Sequence, residues 1–115
     1  VTDTNCIIGF RDKRWLNKKG KLHRLDGPAI ETDDGSQEWY VNGKLHRVGA
    51  PAAVTASGNK YWYINDRLHR LDGPAYEGRT GMKEWWINGK PLIQQQFERH
   101  PLVIFYRLCK KNFVK

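Results

Sequence analysis

The string Leu22-His-Arg-Leu-Asp-Gly-Pro-Ala29 recurs unchanged as Leu68-His-Arg-Leu-Asp-Gly-Pro-Ala75. Leu45-His-Arg-Val-Gly-Ala-Pro-Ala52 lies between them, at an interval of 23 residues each way. A fixed period of this length commits the chain to stacking equivalent supersecondary units, each supported by its neighbours. Gly20-Lys21, Gly43-Lys44 and Asp66-Arg67 precede the three strings. Gly89-Lys90 opens a truncated fourth copy, in which Pro91-Leu92-Ile93 replaces the Leu-His-Arg step.

Two turn signals mark each unit. One is Asn42-Gly43, Asn65-Asp66 or Asn88-Gly89, and the other is Asp34-Gly35, Ser57-Gly58 or Thr80-Gly81. Both predict tight hairpin turns whose two central residues reach positive φ. Between the turns, Trp39 and Val41, Trp62 and Ile64, and Trp85 and Ile87 alternate at the strand period, on one face toward a shared core. Tyr40, Tyr61, Tyr63 and Trp86 fall on the other face. Trp15 stands one residue further from its turn glycine, Gly20, than the later tryptophans do, which predicts an extra residue in the first loop. Asp26-Gly27-Pro28 and Asp72-Gly73-Pro74 read as bends between strand segments, because proline donates nothing to a central ladder. The expected fold is mostly β: a twisted antiparallel meander of hairpin repeats over residues 1–92, finished by a helical cap over 93–115.

Strand alternation ends after Pro91, which the sequence places near a helix start. His100-Pro101 interrupts a short first helix. Leu102, Phe105, Cys109 and Phe113 then recur at helical spacing, predicting a second, amphipathic helix whose apolar stripe covers the last sheet edge or one sheet face. Arg107, Lys110, Lys111 and Lys115 flank the stripe, so this helix reads either as a cap on the stack or as a basic helix meeting a partner or a membrane surface. Cys109 reads as a small buried hydrophobe rather than a nucleophile.

The chain of 115 residues carries 20 Lys and Arg against 12 Asp and Glu, a formal charge of +8. That balance favours anionic partners: an acidic protein surface, nucleic acid or lipid headgroups. Regularly spaced aromatic residues argue against a disordered body, since their burial offsets the entropy of ordering the chain. Cys6 and Cys109 form no ligand-spaced pair and no disulfide framework, which suits a reducing compartment. The start, Val1-Thr-Asp-Thr4, has neither the basic nor the apolar region of a signal peptide, and no stretch is long and apolar enough for a membrane span. The expectation is a cytoplasmic protein for which a membrane partner is unlikely.

With Trp39-Tyr-Val-Asn-Gly-Lys-Leu-His-Arg47 and its 23-residue period in view, the repeat over residues 10–92 resembles the MORN repeat. The aromatic strand, the Asn-Gly-Lys turn and His23, His46 and His69 match. The chain departs from the pattern just after each histidine, where Arg24, Arg47 and Arg70 stand. The later Asp-Gly-Pro-Ala is a variant similar to repeats in phage and bacterial proteins. The resemblance implies an elongated, twisted β-sheet that serves as a protein- or lipid-binding scaffold without catalytic chemistry, and makes a viral protein acting on a host factor conceivable.

Equivalent histidines in successive units stand about 10 Å apart if each unit adds two strands, too far to share a zinc ion. They read as structural imidazoles bonded to neighbouring turns, and the repetition of the His–Asp spacing argues against acid–base catalysis. Arg24, Arg47 and Arg70 form a row that either binds the following turn, Asp26 or Asp72, or presents a ladder to outside carboxylates or phosphates. Gly49 and Ala50 replace Asp-Gly in the middle copy, leaving Arg47 freer to meet an anion. Tyr40, Tyr63 and Trp86 complete the partner-binding set, with cover by the C-terminal helix the alternative for Trp86 and Tyr61. No phosphate loop, HExxH pair or nucleophile elbow is present, and neither a cofactor nor a metal is expected. The sequence therefore points to a non-catalytic module binding a protein with an acidic surface. The alternative is nucleic-acid binding, with aromatics stacking on bases beside Lys60, Lys83, Arg67 and Arg79.

Overall fold

A computed structural model describes residues 4–9 and 11–113. The chain opens with β1 (Asn5–Ile8) and β2 (Asp12–Leu16), followed by β3 (Ile30–Thr32) and β4 (Gln37–Glu38). Beyond Trp39 the strand resumes as β5 (Tyr40–Val41) and turns back into β6 (Lys44–Leu45). The next unit repeats this plan as β7 (Ala53–Val54), β8 (Lys60–Tyr61), β9 (Tyr63–Ile64) and β10 (Arg67–Leu68). In the third, β11 (Tyr76–Glu77) precedes an unbroken β12 (Lys83–Ile87) and β13 (Lys90–Leu92). Two helices follow, α1 (Gln94–Glu98) and α2 (Pro101–Phe113).

The fold is the expected antiparallel hairpin meander with a C-terminal helical segment. Among the described residues, nine strands form one sheet in the order β1-β2-β3-β4-β7-β8-β11-β12-β13, while β5–β6 and β9–β10 are separate two-stranded hairpins. The units that carry β3–β6 and β7–β10 thus each give a pair of strands to the main sheet and fold their second half into a short hairpin beyond the tryptophan. The third keeps β11, β12 and β13 in the main sheet. None of the helices is long and apolar enough to cross a membrane.

The two turn signals are different turns. At Asn42-Gly43, Asn65-Asp66 and Asn88-Gly89 both residues have positive φ, as a two-residue hairpin loop requires. At the other signal the glycine alone does, at φ 94°, 100° and 96° for Gly35, Gly58 and Gly81. There Thr32, Thr55 and Gly78 each accept a bond from the glycine N–H, the pattern of a type I turn closed by a glycine bulge. The first loop has the same longer form: Gly20 N–H donates to Asn17 O, and the Asn17 side chain accepts from the N–H of Lys19 and Lys21.

The core departs from the expected row of Trp/Val and Trp/Ile pairs. Ala29, Ala52 and Ala75 are 0% exposed. Each ends a Gly-Pro-Ala or Ala-Pro-Ala step and bonds through its backbone on both sides. Its carbonyl accepts from Trp15, Trp39 or Trp62, and its N–H donates to Glu38, Tyr61 or Glu84. Trp39, Val41, Trp62 and Ile64 are only half-buried. The third pair alone joins a closed cluster, where Ile87, Phe97 and Val103 pack with Leu71, Trp85 and Leu92.

The C-terminal segment corrects two expectations, the covering stripe and the buried Cys109. Pro91 lies in β13, at the sheet edge where a missing N–H is tolerated, two residues before the Ile93 N-cap of α1. His100 caps α2, its Nδ1 accepting the Leu102 N–H, with Pro101 at the first helical position. The stripe of Leu102, Phe105 and Cys109 faces outward and is exposed, so Cys109 is no buried hydrophobe. Among the described side chains of α2, Val103 is the buried one, because α1 meets β12 through Phe97 and holds α2 by the Glu98–Arg107 ion pair. The side chains of Phe113 and Lys115 lie outside the described residues.

Candidate binding face

The register of the main sheet sorts its side chains into two rows. Arg14, Ile30, Glu38, Ala53, Tyr61, Tyr76 and Glu84 lie opposite one another across successive strands, and Lys13, Glu31, Gln37, Val54, Lys60, Glu77 and Lys83 do likewise. Because neighbours along a strand alternate, the two rows belong to opposite faces. Glu31 and Glu77 reach toward Arg24 and Arg70, so the arginine ladder belongs to the second row's face. Tyr40 and Trp86 donate to Glu38 and Glu84 at 2.8 and 3.0 Å, which ties them to the first. The six expected partner-binding residues are therefore divided: Arg24, Arg47 and Arg70 on one face, Tyr40, Tyr63 and Trp86 on the other.

On the arginine face each guanidinium lies over a tryptophan. Arg24 stacks on Trp15 at 3.8 Å, Arg47 on Trp39 at 3.9 Å and Arg70 on Trp62 at 3.9 Å from the ring centroid. Such cation–π contacts contribute about 0.5–2 kcal/mol each. Each guanidinium also donates across its own arch to a proline carbonyl: Pro28, Pro51 or Pro74, at 3.0–3.2 Å. The outer two are neutralised as well. Arg24 pairs with Asp26 at 3.1 Å and Glu31 at 4.0 Å, and Arg70 with Asp72 at 2.9 Å and Glu77 at 3.0 Å.

The middle arch differs on every one of these counts except the stack and the proline bond. Gly49 replaces the aspartate and Val54 stands where the glutamate would be. Among the described residues no carboxylate lies within ion-pair reach of Arg47. A Cβ on Gly27 or Gly73 would come within 2.8 or 2.9 Å of the guanidinium carbon of Arg24 or Arg70. Ala50 carries such a Cβ, and Gly49 at φ 82° routes the arch differently. Beside Arg47, Val48 is 78% exposed, and Leu25 of the preceding arch is 80% exposed. Sequence reasoning passed over both, although Leu25 and Val48 hold the place of the covered Leu71 in the repeat.

The histidines join unit to unit. His23, His46 and His69 each accept, at Nδ1, the N–H of Asn42, Asn65 or Asn88 in the next turn, at 2.9, 3.2 and 3.0 Å. Gly43, Asp66 and Gly89 donate in parallel to Leu22, Leu45 and Leu68. Burial holds the His69 imidazole below the usual histidine range, and its accepting Nδ1 must be unprotonated. The folded chain then binds fewer protons than the unfolded one below about pH 6.5, so this contribution is complete above that pH and lost as pH falls through the lowered folded value. Thermal unfolding of the native chain should shift down from about pH 7 to about pH 5 by more than that of His69→Asn, whose Oδ1 keeps an acceptor near the Nδ1 position. Identical shifts in the two proteins would remove His69 from the account.

On the opposite face the tyrosines are structural neighbours. Tyr61 packs on Tyr63 and Tyr76 with centroids 6.4 and 4.9 Å apart. Burial, then the Glu38 carboxylate, pushes the Tyr40 hydroxyl well above the ordinary phenol range, and burial first raises Tyr63 too. Phe97 of α1 meets Trp85, which alternates with Trp86 along β12 and so lies on the other face. Lys60 and Lys83 flank Glu77 on the arginine face, away from the tyrosines. Among the described residues no three His, Cys, Asp or Glu side chains are grouped to hold a metal ion. Compared with known proteins, the chain matches no family model, no curated protein and no solved structure at a significant level.

Proposed function

We propose that this chain is a non-catalytic binding module that engages an acidic surface of another protein through its arginine face. The observation that carries the reading is the middle arch. Arg47 is held in place by Trp39 and the Pro51 carbonyl, yet among the described residues it meets no carboxylate, and it lines one cleft with exposed Leu25 and Val48. A positioned but unneutralised guanidinium beside apolar side chains suits a partner's carboxylate and its apolar surroundings. The resemblance to MORN repeats supports scaffold work of this kind at family level. Nucleic-acid binding is the weaker reading, because Tyr40, Tyr63 and Trp86 lie across the sheet from Lys60 and Lys83, and Glu38 and Glu84 sit among them.

Affinity capture from native cell extract, repeated after nuclease treatment, tests the reading. A stoichiometric protein partner should survive the nuclease. Arg47→Gln should lower its recovery about 10- to 100-fold, the loss of one charge-assisted hydrogen bond, whereas Arg24→Gln should have little effect. Recovery of nucleic acid alone, or equal losses with both variants, would reverse it.

A further inference from the structure

Leu71 packs against the cluster formed by Phe97, Val103 and Ile87, whereas its equivalents Leu25 and Val48 are open. All three follow the same His-Arg step and the same tryptophan-stacked guanidinium, so the difference lies in the cover rather than in the arch. Between the first two arches a cleft of about 620 Å³ is lined by Trp39 and Val41 together with Leu25, Val48, Arg47 and the mutually neutralised pair Arg24–Asp26, so that Arg47 is its uncompensated charge among the described residues. A second cleft, between the middle and third arches, brings Tyr106 of α2 beside Arg47 and Val48. The surface covered by the helical segment therefore continues directly into the open one.

The occupant's chemistry follows from what the third arch accepts and what the second lacks. The covered arch takes an apolar helical segment, and its Arg70 is already neutralised by Asp72 and Glu77. The middle arch has no such carboxylates, and the chain's charge of +8 opposes a further basic element. Resting on the protein-binding reading above, we propose that the cleft between the first two arches docks an acidic amphipathic helix of a partner. Its apolar side lies on Leu25, Val48 and Trp39 as Phe97 and Val103 lie about Leu71, and a carboxylate meets Arg47.

The probe is a fluorescein-labelled peptide of residues 93–113 carrying Arg107→Glu, Lys110→Glu and Lys111→Glu, titrated with the full chain. Anisotropy should report saturable binding, at least about tenfold tighter than for the unsubstituted peptide. Leu25→Asn and Val48→Asn leave the net charge unchanged and, at exposed positions, the fold intact by circular dichroism. Each should weaken binding about tenfold or more, since each removes an apolar contact from the docked face. Absence of binding, binding unchanged by both variants, or equal affinity for the two peptides would each overturn the proposal. If the acidic peptide fails while nuclease-resistant capture still depends on Arg47, the helical occupant is wrong and the protein-binding reading stands. If both fail, that reading falls too.

Discussion

Phe97→Ala is expected to destabilise the protein by about 3–5 kcal/mol, a large share of the roughly 5–15 kcal/mol that holds a small domain together. Phe97 is 1% exposed and lies against Trp85 with ring centroids 6.4 Å apart. It sits in one cluster with Ile87 and Val103, against which Leu71, Trp85 and Leu92 pack. Elsewhere among the described residues the fully buried side chains are alanines, so no other apolar cluster of comparable size there compensates for a cavity at this one. The short α1 has little helical stability of its own, because nucleating a helix of five residues is unfavourable without packing. Urea unfolding followed by tryptophan fluorescence and far-ultraviolet circular dichroism would measure the loss. Hydrogen exchange should place the first gain in exchange at β12, β13 and the helices. A loss below about 1 kcal/mol would mean that the helical segment does not secure the end of the sheet.

Ala52→Leu is the second large effect, at about 1–3 kcal/mol or more. Ala52 is 0% exposed, and its backbone is held by Trp39 on one side, at 2.7 Å, and by Tyr61 on the other, at 2.8 Å. A longer side chain can be accommodated only by breaking those bonds or by lifting the arch from Trp39, where Arg47 rests. The equivalent substitutions at Ala29 and Ala75 should act alike, because both make the same pair of bonds. Thermal unfolding of the three variants checks this. A substitution with no effect at any of these positions would show that the arches yield readily, and would weaken the case that they hold Arg47 in place.

The period, the turn positions and the antiparallel meander of this chain were legible because they are local, whereas the departure of β5–β6 and β9–β10 from the main sheet was not. Asn-Gly and Asn-Asp favour positive φ wherever they stand, and alternation assigns Trp39 and Tyr40 to opposite faces without knowledge of any neighbour. The histidine role was legible for the same reason, since a side chain that recurs beside each turn has that turn's backbone within reach. The alanines were not singled out. Nothing in a Pro-Ala step distinguishes a residue sealed beneath an arch from one in an open loop, and only the bonds from adjacent strands seal it.

The C-terminal helix shows where local pattern fails. Leu102, Phe105 and Cys109 make a good stripe by spacing, but Val103 is the residue that packs. Helical periodicity says which residues share a side and not which side meets the sheet. That choice was made by Phe97 against Trp85 and by the pairing of Glu98 with Arg107.

Sequence alone thus determined a stack of hairpin units with a His-Arg step in each, because turn conformation and strand alternation depend on residues adjacent in the chain. Tertiary structure decided which units are covered. Leu25 and Leu71 sit in identical strings, yet one is exposed and the other packed, since a helical segment follows the last unit and can reach only the arch beside it. It also completed the charge compensation of the outer arginines: Asp26 and Asp72 stand two residues away in the chain, but Glu31 and Glu77 arrive from strands folded back seven residues later. Burial and charge compensation depend on what lies across space, and that is set only once the chain has closed on itself.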